Sequence, residues 1–388
     1  MIKQVSKEEW NEDQYPRYCS GSAFLMTTDV AEALYNASFY VPFFWIDDLY
    51  ITGLLPRHVG TIRYRRLGSM YKLFGGTIDE LFNTQVWYKY IFSHTHDFGK
   101  MQVVWKKLAR FAGELESPVI EMALPGKLPT RTTTTHRTTP LLKTTPSTTT
   151  TSREKLNPIT GKDHHTNFSM LPVASNVRLT SGGEVDNTLS GFPKIVNPHP
   201  FSYLINTRRL CGDHDGDDVF LLVYVHSPFD QGKRRNVIRK TWGDVAQYDV
   251  GVRLVFFVGS PPPNIASEGN RTNAQTLLHF EANQYGDIVQ VNFVDSYRNL
   301  SYKSVAALKW ITNFCRRAQF VLKVDDDIFV NLFKLLHHLN MMKVEANETK
   351  NIIVCMMNEN MPVMRKGMWK VGFCTKSGKN ALLGCNEK

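Results

Sequence analysis

The chain has 388 residues, 42% of them hydrophobic and 12% aromatic, with a formal net charge of +10. That length allows two or three domains of ordinary size, and the apolar content excludes a chain that is disordered throughout. The basic residues are scattered rather than clustered, which argues against a nucleic-acid partner and leaves room for an anionic small substrate.

Residues 1–115 are globular in composition. The opening MIKQVSKEEW is polar and lacks the apolar core of a signal peptide. No run of about 20 uncharged apolar residues occurs, so no transmembrane segment is expected in this chain. After a Tyr15-Pro16 turn, YCSGSAFLM reads as a strand. Asp29 can cap a helix whose apolar stripe is Ala31, Leu34 and Ala37. The most apolar stretch, FYVPFFWIDDLYITGLL, is interrupted by Asp47 and Asp48. In HTHD (94–97) two histidines share one face of a strand; with no further ligand in view they read as structural.

Residues 116–197 read as a linker. Thirteen of the 22 residues from Thr130 to Thr151 are threonine, with Pro140 and Pro146 among them. Such a segment has almost nothing to bury and stays solvated, and in a secretory chain it reads as an O-glycosylated stalk.

From residue 198 the pattern is α/β. DVFLLVYVHS (218–227), VRLVFFVGS (252–260), DIVQVNF (287–293) and FVLKV (320–324) are strand candidates. KRRNVIRKTW (233–242), a segment near Thr276 to Gln284, SYKSVAALKWITNFCRRA and NLFKLLHHL are helix candidates, the last capped by Asn331. Alternating strands and helices imply a mixed, mostly parallel sheet flanked by helices, with ligands at the carboxyl ends of its strands. Asp325, Asp326 and Asp327 sit at such an end. Three adjacent carboxylates repel unless a cation neutralises them, and hard oxygen ligands suit Mg²⁺ or Mn²⁺ bridging to a substrate diphosphate. Asp47 and Asp48 lie in apolar surroundings that raise a carboxyl pKa and suit a general base. Arg234, Arg235 and Arg239 could reach phosphates, although a helix surface also accounts for them.

Six cysteines (Cys19, Cys211, Cys315, Cys355, Cys374 and Cys385) form no CxxC pair, which argues against a zinc or thioredoxin-type site and leaves their pairing open. Five Asn-x-Ser/Thr sequons, at Asn36, Asn167, Asn270, Asn299 and Asn347, favour a secretory chain, in which disulfides are allowed.

FLLVYVHSPFDQGKRRNVIRKTWG, VFFVG, YGDIVQVNFVDSYRNLSYKSVAALKW and CRRAQFVLKVDDDIFVN together resemble the first half of the β-1,3-glycosyltransferase family, the Golgi β-1,3-galactosyl- and N-acetylglucosaminyltransferases. VSKEEWNEDQYPRYCSGSAFLMTTDVAEALY and WIDDLYITG resemble its second half. The resemblance implies a GT-A-type nucleotide-sugar-binding fold and an inverting, metal-dependent enzyme using UDP-galactose or UDP-N-acetylglucosamine. It implies a glycan acceptor on glycoprotein or glycolipid and a place in the Golgi lumen or at its membrane. Carried over by position, Asp325–Asp327 match the family's DxD motif. Asp327 is then the first choice of direct Mn²⁺ (or Mg²⁺) ligand and Asp325 the second, with Asp325 and Asp326 also near the ribose and phosphates. Asp47 and Asp48 match the acidic motif that supplies the base, with Leu49 in place of the usual Val. Arg234, Arg235, Arg239 and Trp242 match the motif near the nucleotide. Cys19, Ser20 and Gly21 match YCSG, on the acceptor side.

The order departs from the family. Here the acidic-pair half (1–115) comes first, then the stalk (116–197), then the DxD half (198–371), then an unassigned tail (372–388). PVMRKGMWKV (362–371) resembles the family segment that directly precedes KQVSKEEW (3–10), so the two ends nearly meet in family register. Three arrangements compete: a window on tandem transferases, a joining of two neighbouring genes, or a circular permutant. A stem placed before the DxD half favours the first two. A coil of about 80 residues reaches roughly 50 Å, enough for the third. Docking of the halves is expected, because each alone exposes a large apolar face. The alternative to an enzyme is a catalytically incomplete stalk-bearing glycoprotein.

Overall fold

The computed structural model describes residues 4–72, 90–95, 97–114, 194–212, 219–247, 251–261, 268–344 and 349–365. The Thr-rich stretch, the tail from 372, His96 and the sequons at Asn167 and Asn347 lie outside them. In the first segment β1 (Tyr18–Thr27) runs into α1 (Thr28–Ala37). Then come α2 (Asp47–Leu49), a π-helical turn (Tyr50–Leu54), α3 (Leu55–Val59), β2 (Arg63–Arg66), β3 (Tyr71–Lys72), β4 (Phe92–His94) and α4 (Phe98–Glu114). The last segment supplies β5 (Tyr203–Ile205), β6 (Leu221–His226), α5 (Gly232–Arg239), β7 (Val252–Ser260), α6 (Glu268–Tyr285), β8 (Ile288–Val294), α7 (Leu300–Phe314), β9 (Phe320–Asp325), β10 (Ile328–Val330), α8 (Leu332–Val344) and β11 (Ile352–Asn358).

Eight strands form one mixed sheet in the order β2-β11-β1-β9-β6-β7-β8-β5, with β9, β6, β7 and β8 mutually parallel. This is the mixed, mostly parallel α/β sheet the strand and helix alternation implies. β1, from the first segment, lies antiparallel between β9 and β11 of the last. Without it two strands would each expose a row of unpaired backbone groups. A second sheet, β10-β4-β3, also mixes the segments, since Ile328–Val330 pair with Phe92–His94.

Both faces of the large sheet are buried, which is why its strands are continuously apolar rather than alternating. On one face Ala23, Leu25, Val223, Val225, Leu322 and Val324 pack under α4, α5, α6 and α8. On the other Phe24, Met26, Leu222, Tyr224 and Val321 pack under α1 and α7. Helix α8 buries Leu332, Leu335, Leu336 and Leu339, an i, i+3, i+4, i+7 stripe. Helix α4 does the same with Met101, Val104, Trp105 and Leu108, a stripe the sequence reading passed over. Truncating one such leucine to alanine costs about 2–5 kcal/mol.

Three local expectations change. Thr27, not Asp29, precedes α1; Asp29 lies in the first turn and its Oδ2 accepts the Asn351 N–H at 2.9 Å. The helix expected to reach 242 ends at Arg239, and a 3-10 turn follows from Trp242. The last residues of the expected linker join the fold, where Val196 N–H donates to Phe39 O at 2.8 Å. Asn331 does cap α8, its Oδ1 accepting Lys334 N–H at 3.1 Å.

Residues 5–15 meet residues 361–365. Val5 N–H donates to Met364 O at 3.1 Å and Val363 N–H to Asp13 O at 2.9 Å, and Arg365 binds the carbonyls of Val5, Ser6 and Glu12. Four of the six cysteines, those among the described residues, form Cys19–Cys355, which ties β1 to β11, and Cys211–Cys315, which anchors the end of α7.

Candidate active site

The site forms where β6 and β9 end side by side. Their parallel register places His226 opposite Asp325. Strand β9 then carries the three carboxylates out of the sheet, and each meets a different partner. Asp325 Oδ1 accepts from Lys323 Nζ at 2.6 Å. Asp326 is buried and accepts from Arg234 Nη1 and from Ser227 Oγ, both at 2.9 Å. Asp327 Oδ2 lies 3.3 Å from His94 Nε2, at the end of β4. The cost of three adjacent acids is thus spread over a lysine, an arginine and a histidine.

The first segment brings Asp47 and Asp48 to this end. Asp48 sits at the start of α2, with Oδ1 accepting the Leu49 N–H at 2.8 Å and Oδ2 the Gly21 N–H at 3.1 Å. Thr52 Oγ1 donates to Asp48 O at 2.5 Å and accepts the Cys19 N–H at 2.8 Å, fixing the turn to β1. Burial, and then the charge of Asp47, push the Asp48 carboxyl well above the usual carboxylate range. Asp47 Oδ2 lies 3.9 Å from His226 Nδ1 and 3.8 Å from Lys323 Nζ.

Lys323 joins the two acidic groups. It is 1% exposed, inside an apolar strand, and its ammonium also donates to the Gly21 carbonyl. Its pKa is raised despite burial, because Asp325 and Asp47 favour the charged form. Asp325 is pushed up to about 7, chiefly by desolvation. His226 is held neutral by burial and by Lys323 and Lys303, and neither ring nitrogen has a hydrogen-bond partner. A buried, unpartnered imidazole beside the carboxylates offers a polar contact to a ligand. The Tyr297 hydroxyl is pushed up to about 12 by desolvation and then by the charges of Asp47, Asp48 and Asp325.

Next to the carboxylates a second network shapes the floor. Lys303 donates to Asp295 Oδ1 at 2.7 Å and to Ser227 O at 3.0 Å. Asp295 Oδ2 accepts the N–H groups of Phe229 and Gly259. A Cβ on Gly259 would lie 2.9 Å from Asp295 Cβ, so only glycine admits this approach.

The three arginines divide. Arg234 is at the mouth, bound to Asp326 and 5.4 Å above the Phe98 ring. Arg235 and Arg239, expected to reach phosphates, have their donors engaged inside the protein. Arg235 forms a two-pronged pair with Glu281 and binds the carbonyls of Pro228 and Phe229. Arg239 forms a two-pronged pair with Asp287, reaches Glu281 at 2.7 Å, and stacks on Tyr285 at 4.0 Å. They brace α5 against α6 and the start of β8. Trp242 is fully buried.

Among the described residues no group of three or more His, Cys, Asp or Glu is arranged to hold a metal ion. Mg²⁺-type sites, however, use one or two protein ligands and take the rest from substrate phosphates and water. Asp327 supplies one such carboxylate, whereas Asp325, engaged by Lys323, fits the role less well. His94 has, in Asp327, a partner the sequence did not show. Lys323 could have been found by one signal, a lysine within an apolar strand, since lysine is almost never fully buried unless paired.

A model of the galactosyltransferase family matches residues 2–66 and 233–379, more than half of the chain. Over 165 residues the chain is 35% identical to mouse lactosylceramide 1,3-N-acetyl-beta-D-glucosaminyltransferase, covering 42% of each chain. Over 151 residues it is 40% identical to rat UDP-GlcNAc:betaGal beta-1,3-N-acetylglucosaminyltransferase 7, covering 38% of this chain and 36% of that protein. Over 145 residues it is 32% identical to mouse beta-1,3-galactosyltransferase 1, covering 37% and 41%. The aligned part is thus less than half of these relatives' own length.

Proposed function

We propose that this chain, which belongs to the galactosyltransferase family, transfers galactose or N-acetylglucosamine from a UDP-sugar to a glycan hydroxyl in β-1,3 linkage with inversion. The observation that carries the reading is the meeting of Asp47, next to Asp48, with Asp325, the first of the three carboxylates, at the Lys323 ammonium. Groups from the first and last segments together supply a proton acceptor and a diphosphate side.

The chemistry follows from placement. Asp48, its carboxyl raised by burial, takes the proton of the acceptor hydroxyl. The freed oxygen bonds to the anomeric carbon, the bond from that carbon to the diphosphate oxygen breaks, and the electron pair leaves with UDP. Attack from the side opposite the leaving group inverts the centre. Lys323 fixes Asp47 and Asp325, and Gly21 orients Asp48. Arg234 faces the phosphates. When bound, Mn²⁺ or Mg²⁺ would stabilise the charge that develops on the leaving diphosphate, and Asp327 would hold it. Two disulfides and the sequons support an oxidising compartment, in line with a Golgi lumenal site and an acceptor on glycoprotein or glycolipid.

The test is UDP-sugar hydrolysis or transfer by the purified chain, with and without Mn²⁺, beside an Asp327→Ala control. Turnover no greater than that control would overturn the reading.

A further inference from the structure

Asn36 stands in the last turn of α1, exposed, and its side chain makes no hydrogen bond to a described residue. It opens the sequon Asn36-Ala37-Ser38. Asn299 differs, since its Nδ2 donates to Val294 O at 2.7 Å. The two polar side chains of the Asn36 sequon have opposite fates. Ser38 is buried; its Oγ donates to Tyr35 O at 2.6 Å and lies 2.8 Å from His199 Nε2. Asn197, in the same stretch as His199, donates to Ser38 O at 2.9 Å and to Val41 O at 2.5 Å. The last segment is thus latched onto the end of α1 through the sequon's own serine.

A sequon is used as a unit, the asparagine amide together with the hydroxyl two residues on. An α-helix turns by about 100° per residue, so side chains two apart point about 200° apart. With α1 formed and Ser38 held by His199, the amide and the hydroxyl cannot be presented to one enzyme. In the finished fold this sequon is closed.

The order of the chain keeps it open during synthesis. Helix α1 buries Val30, Ala31, Leu34 and Ala37 and packs on α7. Strand β1, which leads into it, pairs with β9 and β11. All three partners belong to the last segment, and the first of them, α7, begins at Leu300. A helix as short as α1 is marginal in water without such packing. At about 5–20 residues per second, the stretch from Ser38 to Leu300 takes roughly 10–50 s to make. For that time the sequon has neither its helix nor its latch.

We propose that Asn36 is an N-glycosylation site, modified on the growing chain before the last segment docks on α1. The Asn36 amide nitrogen bonds to the anomeric carbon of an oligosaccharide carried on a lipid diphosphate. The bond from that carbon to the diphosphate oxygen breaks, its electron pair leaves with the lipid diphosphate, and the amide nitrogen loses one proton. The exposed position of Asn36 leaves the glycan in solvent once the fold closes. The site rests on the secretory reading of the disulfides and sequons and is independent of the transfer reaction.

The test uses the full chain directed into the secretory pathway of cultured cells. Enzymatic glycan release converts a glycosylated asparagine into aspartate, which peptide mass spectrometry reads at Asn36 directly. Conversion at Asn36 is expected, and Asn36→Gln and Ser38→Ala should each run lower on a gel by one glycan. For the order of events, glycan-free full chain is offered to an oligosaccharyltransferase with its lipid-linked donor, once folded and once reduced and unfolded. Only the unfolded chain should be modified at Asn36. An unmodified Asn36 in a chain glycosylated elsewhere overturns the site. A chain without any glycan overturns the secretory reading as well, and equal modification of folded and unfolded chain overturns the order.

Discussion

Gly21 and Asp48 are in direct contact: the glycine N–H donates to Asp48 Oδ2 at 3.1 Å, and a Cβ on the glycine would lie 3.0 Å from Asp48 Cβ. The glycine of YCSG is therefore the steric reason the acidic pair can lie against β1. Gly21→Ala must displace Asp48. Since a displacement of the base by about 1 Å can cost on the order of 100-fold in rate, kcat is expected to fall by about 10- to 100-fold. Donor KM should stay within about twofold, because the added Cβ meets Asp48, while Arg234 is held separately by Asp326. Steady-state kinetics with varied UDP-sugar check this, and a fall in kcat/KM confined to the donor would refute it.

The raised pKa of Asp48 gives activity and stability opposite pH slopes. As a base Asp48 must be deprotonated, so transfer falls as pH drops below neutrality. As a group whose folded pKa exceeds its unfolded value, it binds its proton more tightly in the native state. Its contribution to folding stability is therefore greatest at acid pH and falls as pH rises from about 4 towards neutrality. In Asp48→Asn both slopes should flatten, with kcat reduced by about 100- to 10,000-fold. A pH series of turnover and thermal melts on both proteins measures the pair of effects.

Lys323 is the buried cation between Asp47 and Asp325. Lys323→Met keeps the volume and removes the charge, leaving carboxylates facing each other. Breaking a buried pair by removing one partner costs about 3–5 kcal/mol. Chemical denaturation should show a loss of that size, partly recovered in the Lys323→Met, Asp325→Asn double variant. A single-variant loss below about 1 kcal/mol would mean that the ammonium is not what holds the acids together.

The fold and the site differed in how far they could be read. Strands such as FVLKV and VRLVFFVGS announced themselves, because a sheet covered on both faces demands continuous apolar runs. The position of YCSGSAFLM at the centre of the sheet was not local information: it depends on pairing with residues more than 290 positions away. The same holds for Cys19 with Cys355. Asp325–Asp327 were legible as a cluster at a strand end, yet their individual roles were not. Lys323, Arg234 and His94 sort them, and His94 becomes informative only once β4 pairs with β10. Arg235 and Arg239 look like surface cations in the helix pattern. They are buried because Glu281 and Asp287, on and just after α6, wait for them.

That division among the arginines gives a final prediction. Arg239 is 6% exposed and forms two ion pairs and two ring contacts, whereas Arg234 is partly open and makes one ion pair with Asp326. Arg239→Ala leaves Asp287 and Glu281 as under-compensated buried charges and should cost about 3–5 kcal/mol of stability. Arg234→Ala leaves Asp326 its Ser227 hydrogen bond and should cost less than about 2 kcal/mol. Its larger effect should be on the donor: loss of one charge-assisted phosphate contact raises the dissociation constant for UDP by roughly tenfold. Urea denaturation and UDP titration of the two variants separate the roles. A stable Arg239→Ala protein with weakened UDP binding would reverse the assignment and return that arginine to the nucleotide.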